Sequence, residues 1–110
     1  LMKWIYLIIA IITEVIATSA LKESQGFSKI IPSIIVVVGY SLTFYFMSLT
    51  LKEMSVGITY AIWSGMGILL ISLIGYFRYN QVLDSAAILG MSFIAMGIII
   101  LRFFSKSIEV

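Results

Sequence analysis

The residue best placed to do chemistry is Glu14. It lies near the middle of an apolar run that starts at Trp4 and ends at Leu21, broken only by Thr13, Glu14, Thr18 and Ser19. A charged side chain at the centre of a lipid-embedded helix costs about 2.5–3.5 kcal/mol on insertion scales. Such a group must face a partner, a cavity or another helix. On a helix its neighbours are Ala10, Ile11, Ala17 and Thr18, a mostly small face that leaves room beside the carboxyl. A proton and a cation cannot both neutralise one carboxylate well, and that competition is the basis of exchange. The alternative is a protonated Glu that only hydrogen-bonds between helices. Intramembrane acids are functional by default, which favours the first reading.

Aromatic residues supply the second chemistry. Tyr60 and Trp63 stand at i,i+3, with Gly67 one turn further on; Tyr40 and Phe44 stand at i,i+4, with Met47 beyond. Aromatic faces attract organic cations and stack on flat rings. The Tyr40 and Tyr60 hydroxyls could also reach Glu14. Ordinary packing is the competing reading, as is an interfacial belt, which suits Trp4, Tyr6, Tyr76 and Tyr79 at the ends of runs. Tyr40 and Trp63 lie deeper.

Glycines mark where helices bend or meet. Gly65 and Gly67 lie inside one run and permit either a kink or close helix contact. Gly90 and Gly97 lie on one stripe with Ala86 and Ile94, which suits a helix–helix seam.

The elements that must position these residues follow from composition. Of 110 residues, 62% are hydrophobic and 11% charged. A soluble domain is roughly 45–50% apolar and about 25% charged, so a soluble monomer is nearly excluded. A bilayer core of roughly 30 Å needs about 20 helical residues. Four stretches meet that length, about residues 4–21, 30–51, 55–77 and 86–104, in one all-α transmembrane domain. The runs are too long for strands and lack alternation. Pro32 falls in the first turn of the second helix, where proline is tolerated. Asp84-Ser85 is placed to cap the fourth. The first run is expected to stay as a permanent span, because no small-residue cleavage site precedes a soluble domain.

Other functions are excluded by what the chain lacks. It has no cysteine and no histidine, so no disulfide, thiolate or common metal ligand. No phosphate loop or nucleophilic triad is visible, and neither an enzyme nor a cofactor or metal site is expected. The net charge of +2 comes from seven scattered basic residues, Lys3, Lys22, Lys29, Lys52, Arg78, Arg102 and Lys106. No basic cluster suggests nucleic acid. Arg78 and Lys22, at the ends of spans, are expected to reach the interface.

Short connections make neighbouring helices antiparallel. One side then carries Lys3, Lys52, Arg102 and Lys106, and the other Lys22, Lys29 and Arg78. Such a balance gives almost no positive-inside bias. The chain could insert in either orientation, so that two copies pack head to tail, or one orientation could win through other features.

These residues together resemble the small multidrug resistance family. The likeness covers nearly the whole chain. It includes Ala10, Thr13-Glu14-Val15-Ile16-Ala17-Thr18, Gly26-Phe27, Pro32-Ser33 and Tyr40. It continues through Gly57-Ile58-Thr59-Tyr60-Ala61-Ile62-Trp63-Ser64-Gly65-Met66-Gly67, then Gln81, Leu83-Asp84, Ile88 and Gly90-Met91.

The resemblance implies an antiparallel, dual-topology homodimer in the bacterial inner membrane. It implies that two Glu14 carboxyls share one site for protons or substrate, lined by Tyr60 and Trp63 with Tyr40, Thr18 and Phe44 nearby. Gly65 and Gly67 would let the third helix kink, and Gly90 and Gly97 would hold the dimer. The implied activity is proton-coupled export of quaternary ammonium and aromatic cations by alternating access. A guanidinium-exporting subtype usually carries tryptophan shortly after the acid; Val15-Ile16-Ala17-Thr18 here favours the multidrug subtype. Three positions depart from the family pattern: Thr43 for the usual serine, Tyr45 for a frequent tryptophan, and Arg78 at a usually apolar place. The alternatives are guanidinium export by the same machinery, or an accessory membrane subunit that does not transport. An ATP synthase rotor proteolipid fits poorly, since it has two spans with the acid in the second.

Overall fold

The four apolar runs are helices in the computed structural model, which describes residues 2–109. They are α1 (Met2–Glu23), α2 (Ile30–Thr50), α3 (Val56–Arg78) and α4 (Ser85–Phe104). In lipid a helix satisfies its own backbone hydrogen bonds, which is why long apolar runs adopt it. At 20–23 residues each helix is about 30–35 Å long, enough to cross the hydrocarbon core. Each limit falls within two residues of its apolar run. The chain divides between Glu53 and Met54 into two compact units, α1–α2 and α3–α4.

In the first unit, α1 buries Leu7, Ala10, Ile11, Val15, Ala17 and Ala20. Along α2 the buried set is Val36, Gly39, Thr43, Met47 and Thr50, one residue every three or four positions. The two helices come closest at Ala17 and Gly39. A Cβ on Gly39 would lie 2.8 Å from Ala17 Cβ and 3.3 Å from its Cα. Without a hydrophobic force between helices in lipid, such small-residue contact is what brings backbones together. Thr13 Oγ1 meets Thr43 Oγ1 across the seam at 2.8 Å. Thr43 also donates to the Gly39 carbonyl at 2.9 Å, and Thr50 to that of Phe46 at 2.9 Å, so these buried hydroxyls are satisfied. The Tyr6 and Phe46 rings, 6.0 Å apart, extend the contact.

The turn between α1 and α2 passes through Gln25, Gly26 and Phe27, all at positive φ. Only Gly26 adopts that region without steric cost. Ser24 holds the turn together and is fully buried. Its Oγ donates to the Leu21 carbonyl at 2.8 Å and accepts the Phe27 N–H at 3.1 Å. Its carbonyl accepts the N–H groups of Ser28 and Lys29 at 2.9 and 3.2 Å. Pro32 is the third residue of α2.

In the second unit, α3 stays helical without interruption through Gly65 and Gly67. Gly65 is a close-contact position. A Cβ there would come within 2.8 Å of Ile98 Cδ1 on α4. The Asp84 side chain caps α4 by accepting the Ala87 N–H at 2.8 Å. Ser55 precedes α3 but gives it no side-chain cap. Its hydroxyl instead donates to the Ser107 carbonyl at 2.9 Å, and its N–H to the Ile108 carbonyl at 2.7 Å. The polar tail is thereby pinned to the start of α3. Arg78 and Arg102 end α3 and α4, over the rings of Tyr79 and Phe103 at 5.8 and 5.1 Å.

Three stability predictions follow, two from the α1–α2 seam and one from α3. Gly39→Val overpacks the seam and should lower unfolding stability in detergent by about 1–3 kcal/mol. Gly57→Ala meets no atom within 4 Å and should match or exceed wild type. A double-mutant cycle on Thr13→Val and Thr43→Val should return a coupling of about 0.6 kcal/mol, the mean for hydrogen bonds between membrane helices.

Candidate functional site

Glu14 sits on α1 one turn below Thr18, and this spacing lets the two side chains meet. Thr18 Oγ1 donates to Glu14 Oε1 at 2.8 Å. The same hydroxyl lies 2.5 Å from Tyr40 Oη on α2. The other carboxyl oxygen, Oε2, is buried and has no hydrogen-bond partner among the described residues. An unpaired carboxyl oxygen away from water carries an uncompensated desolvation cost, unless a proton or a bound cation relieves it.

Phe44 extends the group on α2, one turn beyond Tyr40. The two rings are stacked, with centroids 6.3 Å apart and planes inclined by 21°. Phe44 is exposed and Tyr40 half-buried. The first unit therefore brings together Glu14, Thr18, Tyr40 and Phe44.

Tyr60 and Trp63 belong to the second unit, on the first turns of α3. Their i,i+3 spacing places the ring centroids 5.5 Å apart at 39°. Tyr60 is 61% exposed, and Trp63 half-buried. The pair offers aromatic surface of the kind that attracts organic cations. Gly65 and Gly67 follow on the same helix and are both buried.

α4 differs from the other helices in having no buried residue. Cβ atoms on Gly90 and Gly97 would meet nothing within 4 Å. Neither glycine meets α3, whereas Ile94 on the same stripe would lie 3.4 Å from a Cβ at Gly65.

Three residues of the α1–α2 seam escape a reading by residue chemistry alone. Thr13, Gly39 and Thr43 fix how the helix bearing Glu14 lies against the helix bearing Tyr40. Their visible signal is paired spacing. Thr13 and Ala17 stand four apart on α1, and Gly39 and Thr43 four apart on α2. Small or hydroxyl residues at that interval are a helix-contact pattern.

The first unit offers a carboxyl with a Thr18 hydroxyl on one oxygen, and the second offers aromatic surface at Tyr60 and Trp63. Among the described residues no group of three or more His, Cys, Asp or Glu could hold a metal ion.

Comparison with known proteins agrees with this chemistry. The Small Multidrug Resistance protein family profile matches residues 2–94. The quaternary ammonium compound-resistance protein QacF of Klebsiella aerogenes is 50% identical over 104 residues, 94% of each chain. QacE of Escherichia coli, also a quaternary ammonium compound-resistance protein, is 48% identical over the same length and coverage. A multidrug transporter of Pseudomonas aeruginosa is 47% identical over 105 residues, 96% of each chain. These relatives are resistance proteins and transporters, not enzymes. Four helices of membrane-spanning length and this kinship make the chain a multi-pass protein of the bacterial inner membrane. On a match that spans most of its length, and on relatives identical at nearly half of their positions, the chain belongs to the small multidrug resistance family.

Proposed function

We propose that this protein is a proton-coupled antiporter that exports quaternary ammonium and aromatic cationic compounds by alternating access. The observation that carries the reading is Glu14, whose Oε2 is buried with no partner among the described residues. A carboxylate in that state attracts either a proton or a positive solute, and each displaces the other. The relatives supply the class of solute: quaternary ammonium compounds for QacE and QacF, and multiple drugs for the Pseudomonas protein.

Broad specificity follows from the chemistry. A quaternary ammonium ion has no N–H to donate, so a fixed hydrogen-bond pattern cannot select it. Charge attraction and contact with aromatic faces remain, and neither depends closely on solute shape. Tyr60, Trp63, Tyr40 and Phe44 supply that surface. Thr18 borders the acid.

The working unit in this reading is an antiparallel homodimer, in which two Glu14 carboxyls form one shared site. The near balance of basic residues on the two sides supports insertion in both orientations. The open positions at Gly90 and Gly97 on an α4 without buried residues support that helix as the subunit seam. Opposed copies of one chain then reproduce the inverted repeats of larger transporters. Gly65 and Gly67 are the positions where α3 could bend between inward-open and outward-open states. The absence of tryptophan from Val15-Ile16-Ala17-Thr18 after Glu14 favours bulky cations over guanidinium.

Two measurements test the reading. In proteoliposomes, Glu14→Gln should abolish proton flux driven by a gradient of tetraphenylphosphonium, and wild-type rates in that variant would defeat the mechanism. Tyr60→Leu and Trp63→Leu should each weaken tetraphenylphosphonium binding by roughly tenfold, the loss of about one good cation–aromatic contact. Unchanged affinity in both would remove these rings from the site.

A further inference from the structure

The α1–α2 seam holds a chain of three polar groups whose direction is fixed by proton count. Thr18 Oγ1 carries a single proton and donates it to Glu14 Oε1 at 2.8 Å. That hydroxyl can then only accept from Tyr40, whose Oη lies 2.5 Å away. The chain runs from Tyr40 through Thr18 to Glu14. Two of its members belong to α1 and one to α2. The seam beside it is held by contact between Ala17 and Gly39 and by the Thr13–Thr43 pair.

The consequence is that the two carboxyl oxygens are not equivalent. Oε1 is engaged by a donor, whereas Oε2 is buried with no partner among the described residues. A proton on Oε1 would force the chain to reverse, with Thr18 accepting from the carboxyl and donating to Tyr40. A proton on Oε2 leaves Oε1 as a carbonyl oxygen that still accepts from Thr18, so the chain survives protonation and deprotonation alike.

We infer that Thr18 and Tyr40 act as positioning residues which anchor Glu14 by Oε1, so that protons and cations exchange at Oε2. This rests on the exchange reading proposed above. It differs from a role for the Thr18 and Tyr40 hydroxyls in contact with the solute, and leaves the Tyr40 ring in the aromatic surface. An anchor acts on every solute equally, because it works through the carboxyl. A solute contact acts selectively.

The test uses the full-length protein in proteoliposomes, with tetraphenylphosphonium and a small tetraalkylammonium ion as probes. Infrared difference spectra between the protonated and cation-bound forms isolate the Glu14 carboxyl band, which Glu14→Gln should remove. Thr18→Val should shift that band to higher wavenumber, because Oε1 loses its donor. It should also lower turnover about tenfold for both probes, as expected for loss of a hydrogen bond to a charged group. Thr18→Ser should restore the band position and bring turnover within about threefold of wild type. Tyr40→Phe should shift the band the same way by a smaller amount. The double variant Thr18→Val, Tyr40→Phe should be no slower than Thr18→Val alone, since both cut one chain. An unshifted band in Thr18→Val, or losses that differ tenfold between the probes, would overturn the anchor. If Thr18→Val does not fold, Thr18→Ser and Tyr40→Phe decide: a wild-type band in Tyr40→Phe, or a shifted band in Thr18→Ser, overturns it. Absence of any Glu14 band change on cation binding to the wild type would instead reject the exchange reading itself.

Discussion

A carboxyl group inside a membrane-spanning helix is the constraint on which the rest of this structure depends. Lipid offers it no water, and no basic side chain among the described residues pairs with Glu14. The protein supplies two hydroxyls instead, from Thr18 on the same helix and Tyr40 on the next. Only Thr18 touches the carboxyl, at one oxygen, and Tyr40 bonds to Thr18. A site that satisfied both oxygens would hold the acid in one state and give a passing cation little advantage. In the exchange proposed above, partial satisfaction leaves the group open to a proton or a cation and gives a costly residue at the middle of α1 its use.

The seam between α1 and α2 has to be close for this to work. Tyr40 reaches Thr18 because Gly39, its neighbour in sequence, lets α2 approach so closely that a Cβ at residue 39 would lie 2.8 Å from the Ala17 Cβ. The Thr13–Thr43 pair fixes the register one turn away. Serine usual in the family at position 43 would keep the hydroxyl, so Thr43 preserves the bridge and adds a methyl to the packing. Helix contact, hydroxyl geometry and carboxyl chemistry thus meet within two turns of each helix. The second unit adds aromatic surface at Tyr60 and Trp63 on a helix whose start is tied to the chain's own tail through Ser55.

Much of this is legible in the sequence because lipid removes most alternatives. Long apolar runs must be helices, and all four are present close to their expected limits. Asp84 reads as a cap from its place before an apolar run, and it caps. Glu14 stands out because an acid in such a run is expensive. Other features depend on tertiary register, which spacing alone cannot supply. Composition could suggest that Gly39 permits contact, but not that it meets Ala17. Nor could it say that Thr18 would donate to the acid rather than to its own helix. Ser55 looks like an N-cap for α3, yet its hydroxyl goes to the tail. The turn at residues 24–29 shows the same limit. Gly26 announces a left-handed position, whereas Gln25 and Phe27 adopt one only because Ser24 gathers the turn's hydrogen bonds.

The central claim is that a proton and a positive solute take turns on one carboxyl. It is tested most directly by counting protons as solute binds, in weakly buffered detergent solution with a pH-indicating dye. Addition of tetraphenylphosphonium to the protonated protein should release protons in step with occupancy, and Glu14→Gln should release none. Saturable binding to the wild type with no proton released would contradict the account.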